Sequence, residues 1–101
     1  METFQLVELH LKQQSLELQL RYDDAQLAIV TETGSRLWYI DVNGVQHPEL
    51  LQKLHDNEYD LRFELIAVTA DGQRFEGVGY VHPNVKHRAA AIRGDGELIG
   101  Y

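Results

Sequence analysis

The fold is decided by the stretch YDLRFELIAVTADGQRFEGVGYVH, residues 59–82. From Tyr59 to Leu65 apolar and polar residues alternate, which is the pattern of a strand with one buried face. Ala70-Asp71-Gly72 then supplies turn residues, because glycine accepts a positive φ and aspartate hydrogen-bonds its own backbone. The sequence therefore predicts a long antiparallel hairpin.

Two registers of this hairpin are compatible with the turn. A two-residue Asp71-Gly72 loop would place Glu64 among apolar neighbours. A three-residue loop with Gly72 left-handed pairs Thr69 with Gln73 and separates apolar from polar residues. Since a slip of one residue sends every side chain to the opposite face, we choose the three-residue loop. Its apolar face carries Leu61, Phe63, Leu65, Ala67, Phe75 and Val81. Its other face carries Asp60, Arg62, Glu64, Ile66, Val68, Arg74, Glu76, Val78, Tyr80 and His82.

Two glycines, Gly77 and Gly79, lie on the predicted apolar face, opposite Leu65 and Phe63. Glycine inside a strand usually marks a bend or the close approach of another element, and this is the interpretation we favour. The alternative is that they form the floor of a ligand cleft. Gly-Val-Gly alone is not a dinucleotide fingerprint, which needs a third glycine at the start of a helix.

Length and composition indicate a single acidic domain spanning 1–101. With 44% hydrophobic and 25% charged residues, the chain matches neither a disordered nor a membrane-embedded protein. It has no cysteine, which is typical of reducing compartments. No basic leader precedes an apolar run, and no run approaches the roughly 18 residues of a membrane span. We therefore expect a cytoplasmic protein with no membrane contact.

Charge argues against nucleic acid as a partner. The formal net charge is −7, and nucleic-acid affinity depends mainly on neutralising phosphates. Lys86, Arg88 and Arg93 form the most basic segment, with Tyr80 nearby. Interleaved cations and aromatics are typical of single-strand binders. Three cations on an acidic chain are nevertheless too few to favour that function.

The remaining elements follow from alternation and helix signals. Strands are predicted over 4–12, 16–22, 25–31 and 36–42, joined in meander order, with Val7, Leu9 and Leu11 sharing one face of the first. A short helix is the alternative for 4–12. A helix is predicted over 48–56, because Pro48 suits the first helical position and Glu49 suits its positive end.

The segment 84–93 is ambiguous. Its lysine, arginine and alanine residues favour a second helix that ends at Gly94. The alternative is an edge strand joined to 97–101 through a Gly94-Asp95-Gly96 turn. Together these elements predict a mainly β (α+β) fold. It is a single curved antiparallel sheet or small open barrel of six or seven strands, with one or two short helices.

Candidate chemistry is sparse. His47 and His55 are separated by about 12 Å along a helix, and His82 and His87 point to opposite faces of a strand. No pair has the spacing of a metal site, so we predict neither a metal nor another cofactor.

Asp60 and His82 are predicted neighbours across the hairpin, beside Arg62 and Tyr80. Such a pair could act as a general base, but an ordinary cross-strand ion pair is the simpler interpretation. No serine or cysteine is positioned to complete a triad, so we predict no catalytic residue. If a ligand binds, we expect a small anion at Arg62, Tyr80, His82 and Asp60.

Apolar residues beyond those needed for one core are more informative than the candidate chemistry. Ile66, Val68 and Val78 lie on the otherwise polar face of the hairpin, and Trp38 or its neighbours Leu37 and Tyr39 must also face away from one core. Strands that are apolar on both sides are covered on both sides. We therefore predict a non-catalytic binding or assembly module, a homodimer with an interface at Ile66, Val68, Val78 and Trp38. The alternative is a binding or enzymatic cleft lined by Gly77, Gly79, Arg62, Tyr80 and His82.

Overall fold

A computed structural model describes residues 1–14, 16–32 and 34–100 as an antiparallel β-barrel with one helix. The elements are β1 (Glu2–Gln13), β2 (Leu16–Gln19), β3 (Asp24–Glu32), β4 (Ser35–Asn43), α1 (Pro48–His55), β5 (Arg62–Thr69), β6 (Arg74–Asn84) and β7 (Ala89–Ile99). The sheet order is β2-β1-β3-β4-β7-β6-β5, and pairing of β1 with β5 closes six of these strands into a barrel. The predicted small barrel is confirmed.

The predicted meander order is wrong, because β1 is long enough to take two partners along one edge. Its first residues pair with β3 through Glu2–Gln5, and its last residues pair with β2 through 10–13. The opposite edge of β1 pairs with β5. β2 is therefore an additional strand outside the closed barrel.

Strand β1 also contains a bulge that the alternating pattern concealed. The register with β5 shifts between Leu6 and Glu8, so that Val7 is 55% exposed while Leu6 and Leu9 are buried. A bulge adds one residue to one strand and reverses the side on which the following residues lie. The predicted shared face of Val7, Leu9 and Leu11 is therefore wrong at Val7.

The hairpin of β5 and β6 has the predicted three-residue loop and register. Phe63 lies opposite Gly79, and Ala67 lies opposite Phe75. The Thr69 amide donates to the Gln73 carbonyl at 2.9 Å. Gly72 has φ of +89°, the left-handed conformation that the turn requires. The apolar face points into the barrel and the polar face points outward.

The predicted second helix is wrong, because residues 85–88 form a turn and β7 follows as a long strand between β4 and β6. Ala90 and Ile92 recur with period two and are buried against β4. Burial in the sheet outweighs the helix propensity of this segment. The edge-strand alternative is also wrong, since β7 is central and Gly94-Asp95-Gly96 lies within it. Tyr101, the end of that alternative, is outside the described residues.

The barrel interior is organised around Trp38. Its side chain is 4% exposed, and its indole N–H donates to the Gly96 carbonyl at 3.1 Å. A Cβ on Gly77 would lie 3.0 Å from the indole, and one on Gly94 would overlap the ring. A Cβ on Gly79 would lie 2.8 Å from Ile92. The glycines therefore admit close packing, as favoured from the sequence. Gly77 also lines an outer groove, and the alternative that these glycines form the floor of a ligand cleft stays a prediction.

Helix α1 lies where it was predicted and ends at His55. Leu50, Leu51 and Leu54 are its buried residues, and it packs against β6. No helix in the described part of the chain has the length and apolar character needed to span a membrane.

Candidate functional site

The outer face of β4, β7, β6 and β5 brings two predicted ligand residues together with two that sequence reasoning missed. Tyr39 lies opposite Arg93, Arg93 opposite Tyr80, and Tyr80 opposite Arg62. These four residues form one row across four strands, which we call the Tyr/Arg row. Because adjacent strands are about 4.8 Å apart, the two tyrosines are separated by about 10 Å with Arg93 between them. Both tyrosines are more than a third exposed.

The two arginines of the row differ in their electrostatic surroundings. The Nε of Arg62 lies 3.6 Å from an Asp95 carboxylate oxygen, and both side chains are about half exposed. The Arg93 side chain has no ion pair among the described residues. Arg93 therefore has a tyrosine opposite it on each neighbouring strand and no carboxylate partner among the described residues.

A shallow trough adjoins the Tyr/Arg row along β7. Asp41 and His82 lie on either side of Ala91. In the next row, Asn43 and Asn84 lie on either side of Ala89. Small side chains on the central strand, between longer ones on its neighbours, leave a depression of about 370 Å³ that we call the alanine trough. Its walls offer a carboxylate, two amides and an imidazole.

His82 lies on the same face as Tyr80 and Arg62, but the predicted ion pair with Asp60 is not formed. β5 begins only at Arg62, so Asp60 precedes the strand. Its carboxylate accepts a hydrogen bond from the Arg62 amide at 3.2 Å. His82 instead lies opposite Ala91. The prediction failed because it extended the hairpin register beyond the start of the strand.

The predicted interface residues lie in two different environments. Ile66, Val68 and Val78 are half-buried on the outer face of the hairpin. Trp38 is in the interior, so its assignment to an outer interface is wrong, and its neighbours Leu37 and Tyr39 are the exposed ones. Sequence reasoning also missed Ile99, which is 67% exposed. Ile66, Gly77 and Ile99 help to line an outer groove of about 380 Å³.

The basic segment does not form one surface. Lys86 and Arg88 lie in the turn before β7, whereas Arg93 is in the Tyr/Arg row. Arg88 and Arg93 are five residues apart, about 16 Å along an extended strand. Within residues 1–14, 16–32 and 34–100, no three His, Asp or Glu side chains are grouped as metal ligands would be.

Two titratable side chains outside the Tyr/Arg row have shifted pKa values. Burial, reinforced by Glu8 and Asp24, raises the pKa of Tyr22, whose hydroxyl is buried without a hydrogen-bond partner in the described part of the chain. Burial, reinforced by Arg21, lowers the pKa of His47. The Nε2 of His47 accepts a hydrogen bond from the Arg21 amide at 2.9 Å, which requires this nitrogen to be unprotonated.

Comparisons with protein-family models, curated proteins and solved structures found no match.

Proposed function

We propose that the protein is a non-catalytic binding module for a small anionic molecule that carries a flat ring. The observation that carries this proposal is the position of Arg93, which has no ion pair among the described residues and lies opposite Tyr39 on one neighbouring strand and Tyr80 on the other. The Tyr/Arg row binds the anionic group and the ring, and the alanine trough binds the rest of the molecule.

The side chains of this face fit such a ligand. A guanidinium pairs with carboxylate or phosphate oxygens through two parallel hydrogen bonds. Exposed phenol rings offer a stacking surface for a flat ring. Asp41 lies one row away from Arg93 and accepts hydrogen bonds, which favours a ligand with a donor group at the end remote from its anion. The trough volume of about 370 Å³ lies within the range of small-molecule sites.

Binding without turnover is supported by the surroundings of His82. In the described chain this imidazole has no carboxylate that orients it. The trough is lined by aspartate, asparagine, histidine, valine and alanine, and by no serine, threonine or cysteine. A general base without an orienting partner or a nucleophile lacks the elements of a hydrolytic site.

Calorimetric titration with phenyl phosphate tests this proposal, with inorganic phosphate as the ring-free comparison. We expect phenyl phosphate to bind more tightly than inorganic phosphate, because only the former contacts the tyrosines. Arg93→Gln should weaken phenyl phosphate binding by about tenfold or more, the usual loss for one charge-assisted contact.

The matched control is Arg74→Gln, which removes one exposed arginine from β6 and changes net charge equally. It should leave the affinity unchanged. Equal affinity of phenyl phosphate for the wild type and Arg93→Gln would overturn the assignment of Arg93. An equal loss of affinity in both variants would show that binding depends on net charge and not on the position of Arg93.

A second candidate function is self-association, favoured by the exposed Ile99 next to half-buried Ile66. The groove that they line has His10, Lys12 and the β2 residue Glu17 on one side and Glu64 and Glu76 on its hairpin side. A two-fold axis through this groove would bring Lys12 of each copy toward Glu64 and Glu76 of the other, since an isologous interface uses the same patch on both copies. Val68 and Val78 would lie at its margin.

Light scattering at micromolar concentration tests this second function, with Ile99→Glu as the disrupting variant. A homodimer that Ile99→Glu converts to monomer is expected. A monomer in the wild type would contradict it. For either function we propose a cytoplasmic location, since cysteine-free chains are common in reducing compartments.

A further inference from the structure

Strand β2 has one unpaired edge. It is the last strand in the sheet order, and within residues 1–14, 16–32 and 34–100 its one strand partner is β1. The Leu20 amide donates to the Leu9 carbonyl at 2.8 Å, so residues 16, 18 and 20 direct their backbone groups toward β1. Because these directions alternate, Glu17 and Gln19 direct their N–H and C=O groups away from it. In the described chain, no hydrogen bond to these outward groups is found.

The next outward residue on the same edge, Arg21, is already paired. Its amide donates to His47 Nε2 at 2.9 Å, and its carbonyl accepts from the Gln46 amide at 2.9 Å. Residues 46 and 47 thus occupy the position of a neighbouring strand beside Arg21, and their pairing does not extend to Gln19 or Glu17. The open part of the edge begins where this pairing ends. Proteins normally shield such edges, because an exposed edge pairs readily with another chain.

A groove of about 340 Å³ runs between this edge and α1. Its apolar lining comes from Leu16 and Leu18 of β2 and from Pro48, Leu50 and Tyr59. Its charged lining comes from Arg21, Lys53 and Glu49, with the Lys53 ammonium 5.5 Å from the centre of the Tyr59 ring. Two cations and one carboxylate make this groove locally basic in a chain of net charge −7.

We infer that this edge and groove bind an extended peptide segment of a partner protein by strand addition. The backbone of the segment pairs with Glu17 and Gln19. Alternate side chains of an added strand point to one side, so apolar residues at every second position enter the groove. The two cations of the lining, Arg21 and Lys53, select a segment that ends in a free carboxylate within the groove. This surface is separate from the Tyr/Arg row, so the inference does not depend on the proposed function.

The probe is a short synthetic peptide in which valine alternates with threonine, ending in a free carboxylate. The key variant is Glu17→Pro, which removes an outward N–H that no internal hydrogen bond uses. Proline is tolerated on edge strands where the N–H faces solvent. The matched control is Glu17→Ala, which removes the same side chain and keeps the N–H. We expect Glu17→Pro to weaken peptide binding by about tenfold and Glu17→Ala to leave it nearly unchanged.

Amide hydrogen exchange in the wild type gives a readout that does not depend on any variant folding. The amides of Glu17 and Gln19 should exchange fast in the free protein and slow down when the peptide is added. The Leu18 amide, which faces β1, should change little. Peptide binding without slower exchange at Glu17 and Gln19 would overturn the inference, as would equal binding by the two Glu17 variants. Protection that appears without peptide and rises with protein concentration would also overturn it, because the occupant would then be a second copy of the chain.

Discussion

On the inner face of β7, Ala90, Ile92 and Gly94 lie against buried side chains, whereas on the outer face Ala91 and Arg93 face solvent. Consecutive residues of one strand therefore work under different constraints. Inside, the limit is volume, since the indole of Trp38 occupies the space that a side chain at 94 would need. On the outer face, the constraint is the chemistry of the side chains, because the proposed binding depends on which functional groups the Tyr/Arg row and the alanine trough present. Substitutions on the two faces should separate stability from binding.

The largest expected effect is on the inner face, at Trp38. Trp38→Ala should lower the free energy of unfolding by about 3–5 kcal/mol, because it leaves a cavity and removes the donor to the Gly96 carbonyl. Tyr39→Ala, one residue further on the outer face, should lower it by at most about 1 kcal/mol. Urea denaturation of both variants measures this difference. Similar losses at the two positions would contradict the division into an inner and an outer face.

A smaller loss is expected from Gly94→Ala. The added methyl group overlaps the Trp38 ring, and such overpacking costs about 1–3 kcal/mol. Combining it with Trp38→Phe should recover part of this loss, because the smaller ring leaves room. Thermal unfolding of the two single variants and the double variant provides the test. Strictly additive losses would mean that the two residues do not share the space.

On the outer face, Ala91→Val should change binding and not stability. The larger valine side chain fills part of the alanine trough, so the affinity for phenyl phosphate should fall. The free energy of unfolding should change by less than about 0.5 kcal/mol. Valine is favoured in strands, which opposes any loss of stability. Titration and urea denaturation of one sample of the variant measure both quantities. If the Ala91→Val variant does not fold, residue 91 is packed beneath other groups and the outer face is not open to solvent.

The smallest expected effect concerns the strand edge at His47, where Arg21, Glu49 and Lys53 are the nearby charged residues. Burial and Arg21 lower its pKa from the ordinary 6.5 in the folded chain. The unfolded chain then binds more protons, so this contribution to stability is complete above pH 6.5 and is lost as pH falls through the lowered pKa. His47→Gln should flatten the pH dependence of the urea midpoint in this window. An unchanged dependence would contradict the role of His47.

The hairpin and β7 also differ in how far sequence could predict them. In the hairpin, alternation, the Asp71-Gly72 turn and the glycine positions all act over short distances, so the register followed from local rules. In β7, alanine and lysine favoured a helix locally, and only pairing with β4 and β6 makes a strand. The bulge at Val7 left no local signal, because apolar residues occupy both possible faces there.

The residues of the candidate site also differ in whether they could be predicted from the sequence. Arg62, Tyr80 and His82 were found because they share the hairpin. Tyr39 was visible as an outward residue of its strand, but nothing local placed it beside Arg93. That neighbourhood depends on the pairing of β4 with β7, which brings residue 93 beside residue 39 although they are more than fifty positions apart in the chain. The Tyr/Arg row could therefore be recognised only in the folded chain.

The most direct test of the account is an NMR titration of the isotope-labelled protein with phenyl phosphate, followed at every backbone amide. The account predicts that the largest shift changes fall on outward residues of β4, β7 and β6, centred on Tyr39, Arg93 and Tyr80, and that Arg93→Gln needs at least about tenfold more phenyl phosphate to produce them. Changes centred on β2 and α1, or no saturable change at any amide, would contradict it.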